Sequence, residues 1–250
     1  LAAVIQDLAP KRRVEVARAL DDARLADVLE EMDEAERVAL LSELEGERAA
    51  DVLGEMDPDD AADLLREVGE ERAQVLIDLM EPEDAEDVIR LMAYEDYSAG
   101  GMMTTEPLIM SADYTVADAL AVVRRSEISP ALASQVFVTR QPLETPTGRF
   151  IGMVHYQRLL REPPATLLGS LVDTDTQGLS PDATLNEVSS YLASYNLLSV
   201  PVVDGNERLL GAVTVDDVLD HLLPDNWRID HRDHTRTDLE NITQEVKGQV

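Results

Sequence analysis

The chain has 250 residues, of which 51 are acidic and 21 are basic, so its formal net charge at pH 7 is −30. This charge excludes a nucleic-acid partner, because phosphate binding needs a basic face, and it favours divalent cations as ligands. The absence of cysteine excludes disulfides and thiolate metal sites, and the absence of a signal peptide or of a run of about 18 apolar residues predicts a cytoplasmic location.

Residues 1–92 carry a sequence repeat with a period of about 24 residues. LADVLEEMDEAERVALLSEL (25–44) is matched by AADVLGEMDPDDAADLLREV (49–68) and AQVLIDLMEPEDAEDVIRLM (73–92), and residues 1–20 form a weaker copy. Apolar residues step by three and four within each copy, which indicates helices. A period this short predicts helical hairpins that bury their apolar stripes against each other. We therefore predict an all-α superhelix over residues 1–102, with most of the excess acid on it.

Acidic residues crowd the first turn of the second helix in each copy. Asp57 before Pro58 predicts an N-cap followed by proline at the first helical position, and the helix dipole favours acids there. Two pairs nevertheless place like charges on one helix face, and carboxylates near 4 Å repel by about 4 kcal/mol at an effective dielectric of about 20. A hard divalent ion, Mg²⁺ or Ca²⁺, would relieve that repulsion. The candidate metal ligands are Asp59 with Asp63 and Asp84 with Asp87.

From about residue 103 the pattern changes to β-branched runs that alternate with helical stretches. The predicted strands are 136–139, 149–154, 198–203 and 209–213, and the predicted helices are 115–126, 155–161, 184–194 and 215–223. This alternation occurs twice and predicts two α/β units whose sheets pair around a pseudo-twofold axis. The predicted boundaries are 103–164 and 165–224, followed by a connecting or tail segment at 225–250.

Two segments carry a family resemblance. LLSVPVVDGNERLLGAVTVDDVLDHL (197–222) resembles the end of a cystathionine-β-synthase (CBS) domain. YEDYSAGGMMTTEPL (94–108) resembles the junction of the MgtE family of bacterial magnesium channels and transporters, where an acidic helical-repeat N domain precedes a CBS pair. The resemblance covers about residues 1–224 in the same order, and it implies a multidomain α and α/β fold: an all-α superhelix followed by a tandem CBS pair.

The resemblance implies that these domains sense Mg²⁺ for an attached transmembrane pore. Ions would bridge acidic faces and hold a compact homodimer, formed through the CBS pair, when Mg²⁺ is plentiful. The implied ligands in and after the second CBS domain are Asp217, Asp220 and Asp225. Positions that carry acids elsewhere in the family are here Thr184, Asn186 and Asn196. Some of the acidic ligands for the family's usual set of ions are therefore missing.

The resemblance also implies binding of ATP or another adenine nucleotide. The pattern is G-h-h-T-x-x-D, in which h is a hydrophobic residue and x is any residue. It places a hydroxyl and a carboxylate one helical turn apart, where both can reach ribose hydroxyls. Gly211, Thr214 and Asp217 fit this pattern, whereas the first copy has His155 and Arg158 at the last two positions. Asp217 therefore belongs to both the metal and the nucleotide hypotheses.

Two functional classes stay open from the sequence. The domain order favours the Mg²⁺-sensing region of a channel or transporter. The missing acids and the altered tail favour a stand-alone soluble module that binds Mg²⁺ or an adenine nucleotide and has no pore. We expect no enzyme, because the sequence contains no G-x-S-x-G, P-loop or H-E-x-x-H motif.

Overall fold

The computed structural model describes residues 4–5, 8–125 and 128–223. Asp225 and the predicted tail at 225–250 lie outside these ranges. Within them, no helix has the length and apolar character that a membrane crossing requires.

Residues 10–92 fold into short helices that stack in sequence order, which confirms the predicted helical repeat. The helices are α1 (Pro10–Ala19), α2 (Asp22–Glu30), α3 (Glu34–Ser42), α4 (Gly46–Gly54), α5 (Pro58–Val68), α6 (Glu70–Ile77) and α7 (Pro82–Met92). Helices two positions apart are in contact: α2 contacts α4, α3 contacts α5, α4 contacts α6, and α5 contacts α7. Helix α6 also packs on α5.

The core of the stack combines leucines with alanines that allow close helix approach. In α5, Ala61, Ala62, Leu64 and Leu65 are fully buried, and the acid Asp59 in its first turn is buried as well. Burying one leucine side chain contributes about 1.5–3 kcal/mol, but a helix of 8 to 11 residues cannot bury such a stripe alone. The stack is therefore stabilised by neighbouring repeats.

An arginine at a fixed repeat position connects successive copies. The Arg48 guanidinium donates hydrogen bonds to the carbonyl oxygens of Ala17 (3.0 Å) and Leu20 (2.7 Å) at the end of α1. Arg72, one repeat later, donates to the Leu41 carbonyl near the end of α3 at 3.4 Å. These bonds satisfy carbonyls that the helix end leaves without a partner in the helix.

The second half contains two α/β units, which confirms the predicted strand–helix alternation. The elements are β1 (Ile109–Ser111), α8 (Val116–Val123), β2 (Gln135–Thr139), β3 (Phe150–His155), α9 (Tyr156–Leu159), α10 (Leu185–Tyr195), β4 (Ser199–Val203), β5 (Leu209–Thr214) and α11 (Val215–Leu222). In the first unit, β1 pairs in parallel with β2, and β2 pairs antiparallel with β3; in the second unit, β4 pairs antiparallel with β5. Strand β1 was not predicted, because three residues are too few to show alternation.

The segment between the helical stack and the α/β units is bonded to the second unit. The backbone N–H of Ala99 donates to the Ala183 carbonyl at 2.7 Å, and that of Gly100 donates to the Pro181 carbonyl at 2.8 Å. A further bridge pairs Thr104 with Ala212 of β5. These backbone bonds place the helical stack beside the second unit and bring α5 close to α11.

Candidate functional site: an acidic cleft between the helical stack and the second α/β unit

A cavity of about 330 Å³ lies where α5 and the loop after α2 meet α11. Its walls combine carboxylates from two distant parts of the sequence. The titratable groups that line it are Glu30, Asp33, Glu34, Arg37, Asp59, Asp60, Asp63, Arg66, Glu67, Asp96, Tyr97, Asp217, Asp220 and His221. We call this cavity the acidic cleft.

Asp59, in the first turn of α5, is the most buried acid of the cleft. Its relative exposure is 8 %, and its Oδ1 atom has no hydrogen-bond partner within the described part of the chain. Burial raises the pKa of Asp59 well above its usual value, and the nearby charges of Asp217 and Asp60 raise it further. A buried carboxylate oxygen without a donor is costly, so this position is suited to a cation.

Asp60 and Asp217 complete the centre of the cleft. Burial raises the pKa of Asp60 well above its usual value, and the charges of Asp217 and Glu30 add to the shift. Burial also raises the pKa of Asp217 to about 7, against the lowering effect of its hydrogen bonds from Thr214. Neighbouring carboxylates in the helical stack and in α11 therefore oppose each other's ionisation across the domain boundary.

A second group of acids lies at the edge of the cleft. Glu30, Asp57 and Asp60 each offer one oxygen, and these three oxygens lie within 4.8 Å of one another. The backbone N–H of Asp57 donates to Glu30 Oε1 at 2.9 Å. Burial raises the pKa of Glu30 to about 7, although this hydrogen bond opposes the shift. The N-cap position of Asp57 is confirmed, but its side chain makes no capping hydrogen bond.

Basic groups also line the cleft. Arg66 lies 2.6 Å from Asp63 Oδ1 and 3.0 Å from Asp96 Oδ1, and Arg37 forms a two-point ion pair with Glu67. His221, near the end of α11, packs edge-on against Tyr97 with 5.3 Å between ring centroids.

The structure brings together some of the predicted metal ligands and separates others. Four of them line the acidic cleft: Asp59, Asp63, Asp217 and Asp220. Asp84 and Asp87 lie one repeat further along the stack, on α7, and do not line it. Asp87 instead accepts hydrogen bonds from Arg90 at 2.5 Å and from Thr105 at 3.2 Å.

The three predicted nucleotide-binding residues have structural partners. Thr214 caps α11, and its hydroxyl donates to Asp217 Oδ2 at 2.5 Å, while the backbone N–H of Asp217 returns a hydrogen bond to the Thr214 hydroxyl. Gly211 lies against the linker, because a Cβ atom at this position would be 2.3 Å from the Thr104 carbonyl oxygen. The Asp217 carboxylate thus serves the helix cap and the acidic cleft together.

The sequence patterns did not single out several cleft residues. Glu30, Arg37, Glu67 and His221 belong to helices whose acids and bases look like an ordinary solvated face. Asp60 stands next to a predicted ligand, but the helix dipole alone would explain it. The packing of the linker on the second unit brings His221 to the acids and bases of the helical stack.

The donor set of the cleft fits a hard divalent cation. Its charged ligands are carboxylate oxygens, which Mg²⁺ and Ca²⁺ prefer, and the chain has no cysteine that would select a softer metal. The unpartnered Asp59 oxygen is of the type that such an ion takes as a ligand.

Comparisons with known proteins match both halves of the chain. Residues 1–97 match the MgtE intracellular N domain, and residues 168–224 match the CBS domain. Magnesium transporter MgtE of Thermus thermophilus is 32% identical over 132 residues, which are 53% of this chain and 28% of the relative. MgtE of Enterococcus faecalis is 28% identical over 154 residues, 62% of this chain and 33% of the relative. The matched region thus spans about a third of these curated relatives.

Solved structures match over most of the described fold. The soluble part of a magnesium transporter gives a TM-score of 0.80 at 28% identity and covers 88% of this chain and 85% of that one. The cystathionine β-synthase pair domain from Shewanella oneidensis, at 19% identity and a TM-score of 0.53, shares the fold over 68% of this chain and 95% of that chain. The cytosolic domain of the Mg²⁺ channel MgtE, solved in complex with ATP, gives a TM-score of 0.76 at 31% identity, and the match covers 88% of each chain. The chain therefore belongs to the MgtE family, in which it matches the cytosolic N domain and CBS pair.

Proposed function

We propose that the chain is the Mg²⁺-sensing regulatory region of an MgtE-type channel or transporter and acts on the cytoplasmic side of its pore. The proposal rests on one observation: carboxylates of α5 and α11 converge in one cavity, and Asp59 keeps a buried oxygen without a donor. Mg²⁺ bound between Asp59, Asp60 and Asp217 would join the helical stack to the second CBS domain.

The electrostatics of the cleft supply the switch. Without a cation, ionised Asp59, Asp60 and Asp217 repel each other across the boundary between the helical stack and the second unit. A divalent ion reverses the sign of that interaction and favours the closed arrangement. An ion that binds one of two arrangements more tightly shifts the population toward it, so the free Mg²⁺ concentration would set the fraction of closed molecules.

A Mg²⁺ titration of the 250-residue chain tests the proposal. Solution scattering and limited proteolysis should show compaction and protection as Mg²⁺ is added, whereas NaCl at equal ionic strength should give neither. The Mg²⁺ midpoint is the Mg²⁺ concentration at which half of this compaction or protection is reached. Asp59→Asn and Asp217→Asn should each raise it at least tenfold. Glu83→Gln is the matched control, since Glu83 occupies the exposed first turn of α7, one repeat after Asp59. Equal responses of Asp59→Asn and Glu83→Gln would refute the assignment.

The assembly follows from the same proposal. We expect a homodimer through the CBS pair, so that cleft closure in two copies could act on one pore. Sedimentation at several protein concentrations measures the oligomeric state. A chain that stays monomeric at all concentrations with saturating Mg²⁺ would argue against the dimeric regulatory region and for the stand-alone module.

Binding of an adenine nucleotide is a second proposed function, favoured by a second cavity. A space of about 650 Å³ between the two α/β units is lined by Arg158, Arg161, Tyr156 and Tyr195. Guanidinium groups can pair with phosphates and aromatic rings can stack on a base, whereas the predicted Thr214 and Asp217 bond to each other. Calorimetric titration with ATP tests both positions: loss of binding in Arg158→Gln favours this cavity, and loss only in Thr214→Val favours the sequence-based site.

A further inference from the structure

Two arginines lie inside the acidic cleft of a chain in which acids outnumber bases 51 to 21. The Arg66 side chain is 17% exposed and is held from three directions. It contacts Asp63 at 2.6 Å and Asp96 at 3.0 Å, and it donates to the Leu91 carbonyl at 2.9 Å. Three partners on α5, α7 and the linker fix the guanidinium in one place.

Arg37 neutralises a second carboxylate of the cleft. Its Nε donates to Glu67 Oε2 at 2.9 Å, and its Nη2 pairs with the other carboxylate oxygen. The two side chains are only 14% and 16% exposed. A two-point arginine–carboxylate pair of this kind has its directions fixed and is only weakly screened.

Three other acids of the cleft have no such ion pair, and Arg37 acts on one of them, Asp60, only through its charge. Over the residues that the structure describes, no ion pair joins a base to Asp59, Asp60 or Asp217. The cleft is therefore divided into a metal-accepting half, formed by these three aspartates, and an arginine-filled half, formed by Asp63, Glu67 and Asp96 with Arg66 and Arg37.

We propose that Arg66 keeps divalent cations away from Asp63 and confines them to the metal-accepting half. This inference rests on the proposed function, since it specifies where in the cleft the ion binds. A dication at Asp63 would have to replace a 2.6 Å ion pair and would then lie beside a guanidinium that Asp96 and the Leu91 carbonyl still hold in place. Repulsion between like charges grows with the product of the charges, so a doubly charged ion is strongly disfavoured there.

The helical repeat provides a matched control for Arg66. The pair Asp63–Arg66 recurs one repeat later as Asp87–Arg90, with the same spacing and a distance of 2.5 Å. Arg90 donates to the Thr145 carbonyl at 3.2 Å, outside the acidic cleft. Arg66→Gln and Arg90→Gln therefore make the same chemical change in equivalent pairs. Only Arg66→Gln leaves a carboxylate of the acidic cleft without its ion pair.

Equilibrium dialysis of the 250-residue chain against MgCl₂ in 150 mM NaCl tests the inference, with protease protection as a second measurement. Arg66→Gln should bind about one further Mg²⁺ per chain, which Asp63→Asn in the same background should remove, while Arg90→Gln should bind no more than wild type. Asp63→Asn alone should leave the midpoint of protection within about twofold of wild type, because the ion does not use this carboxylate. This variant needs no removal of an arginine, so it decides the matter even if Arg66→Gln fails to fold.

Two outcomes would overturn the inference and leave the proposed function standing. The first is that Asp63→Asn raises the Mg²⁺ midpoint of protease protection as much as Asp59→Asn does. The other is a folded Arg66→Gln variant that binds no additional ion. If the wild-type chain neither binds Mg²⁺ in dialysis nor gains protection, both the proposed function and the inference fail.

Discussion

The hydroxyl of Thr214 donates a 2.5 Å hydrogen bond to Asp217, so one carboxylate both caps α11 and faces the acidic cleft. This reciprocal cap recurs in the first unit as Thr115 with Asp118, and neither of these residues lines the acidic cleft. Thr214→Val should remove the side-chain cap and lower the free energy of unfolding by about 1 kcal/mol. It should also raise the pKa of Asp217 further, because the lost hydroxyl hydrogen bond favoured the carboxylate.

Thr115→Val is the control for this change. It should destabilise the chain by a similar amount, measured by thermal unfolding, but leave the Mg²⁺ midpoint unchanged. If both valine variants shift the midpoint equally, Thr214 has no role in orienting Asp217.

Asp59 is the acid whose removal should stabilise the chain in the absence of metal. Its buried oxygen has no partner and lies among other carboxylates, so Asp59→Asn removes a charge that opposes closure. We expect the free energy of unfolding in EDTA at pH 8 to rise by about 1–3 kcal/mol. In saturating Mg²⁺ the order should reverse, because wild type binds the ion more tightly and gains more stability from it. Urea titrations under both conditions measure the two differences.

The acidic cleft should make stability depend on pH in a definite direction. Burial raises the pKa values of Asp217 and Glu30 to about 7, while in the unfolded chain both groups titrate near 4. Between these values the folded state binds more protons, so the free energy of unfolding falls as pH rises from about 4 to about 7. Added Mg²⁺ should flatten this decline. A profile in EDTA that rises through the same window would contradict the burial of these acids.

The sequence was sufficient to predict all strands except β1, and the helical stack, because their signals are local. Apolar steps of three and four predicted the stack, and β-branched runs between glycines and prolines predicted β2 to β5. Asn196, at a position that carries an acid elsewhere in the family, ends α10 with a positive φ of 52°, a conformation that asparagine tolerates. Local backbone demands thus account for that departure.

The composition of the cleft could be predicted only in part. Asp59 and Asp217 stood out by helix spacing and by resemblance, and the structure places both in one cavity. Arg66 did not stand out, because its partner Asp96 lies 30 residues away and is brought near by linker bonds to the second unit. The Asp63–Arg66 and Asp87–Arg90 pairs look alike in sequence, and only tertiary contacts distinguish them.

Arg48 should contribute more to stability than its counterpart one repeat earlier. It donates to the Ala17 and Leu20 carbonyls at the end of α1, whereas Arg24 pairs at 3.7 Å with Asp21, and both of these side chains are well exposed. Arg48→Met should lower the free energy of unfolding by about 1.5–3 kcal/mol, and Arg24→Met by less than about 0.5 kcal/mol. Equal losses in thermal unfolding would show that α1 does not depend on this arginine.

Gly211 separates the structural from the nucleotide interpretation of its motif. A Cβ atom here would meet the Thr104 carbonyl oxygen at 2.3 Å, and Thr104 pairs with the next residue of β5, Ala212. Gly211→Ala should therefore push the linker off the strand, destabilise the chain by about 1–3 kcal/mol and widen the acidic cleft. The Mg²⁺ midpoint should rise even though no ligand has changed.

Gly205→Ala is the control, because a Cβ at Gly205 has no atom within 4 Å. If Gly211→Ala abolishes ATP binding and leaves stability and the Mg²⁺ midpoint unchanged, Gly211 serves a nucleotide rather than the linker.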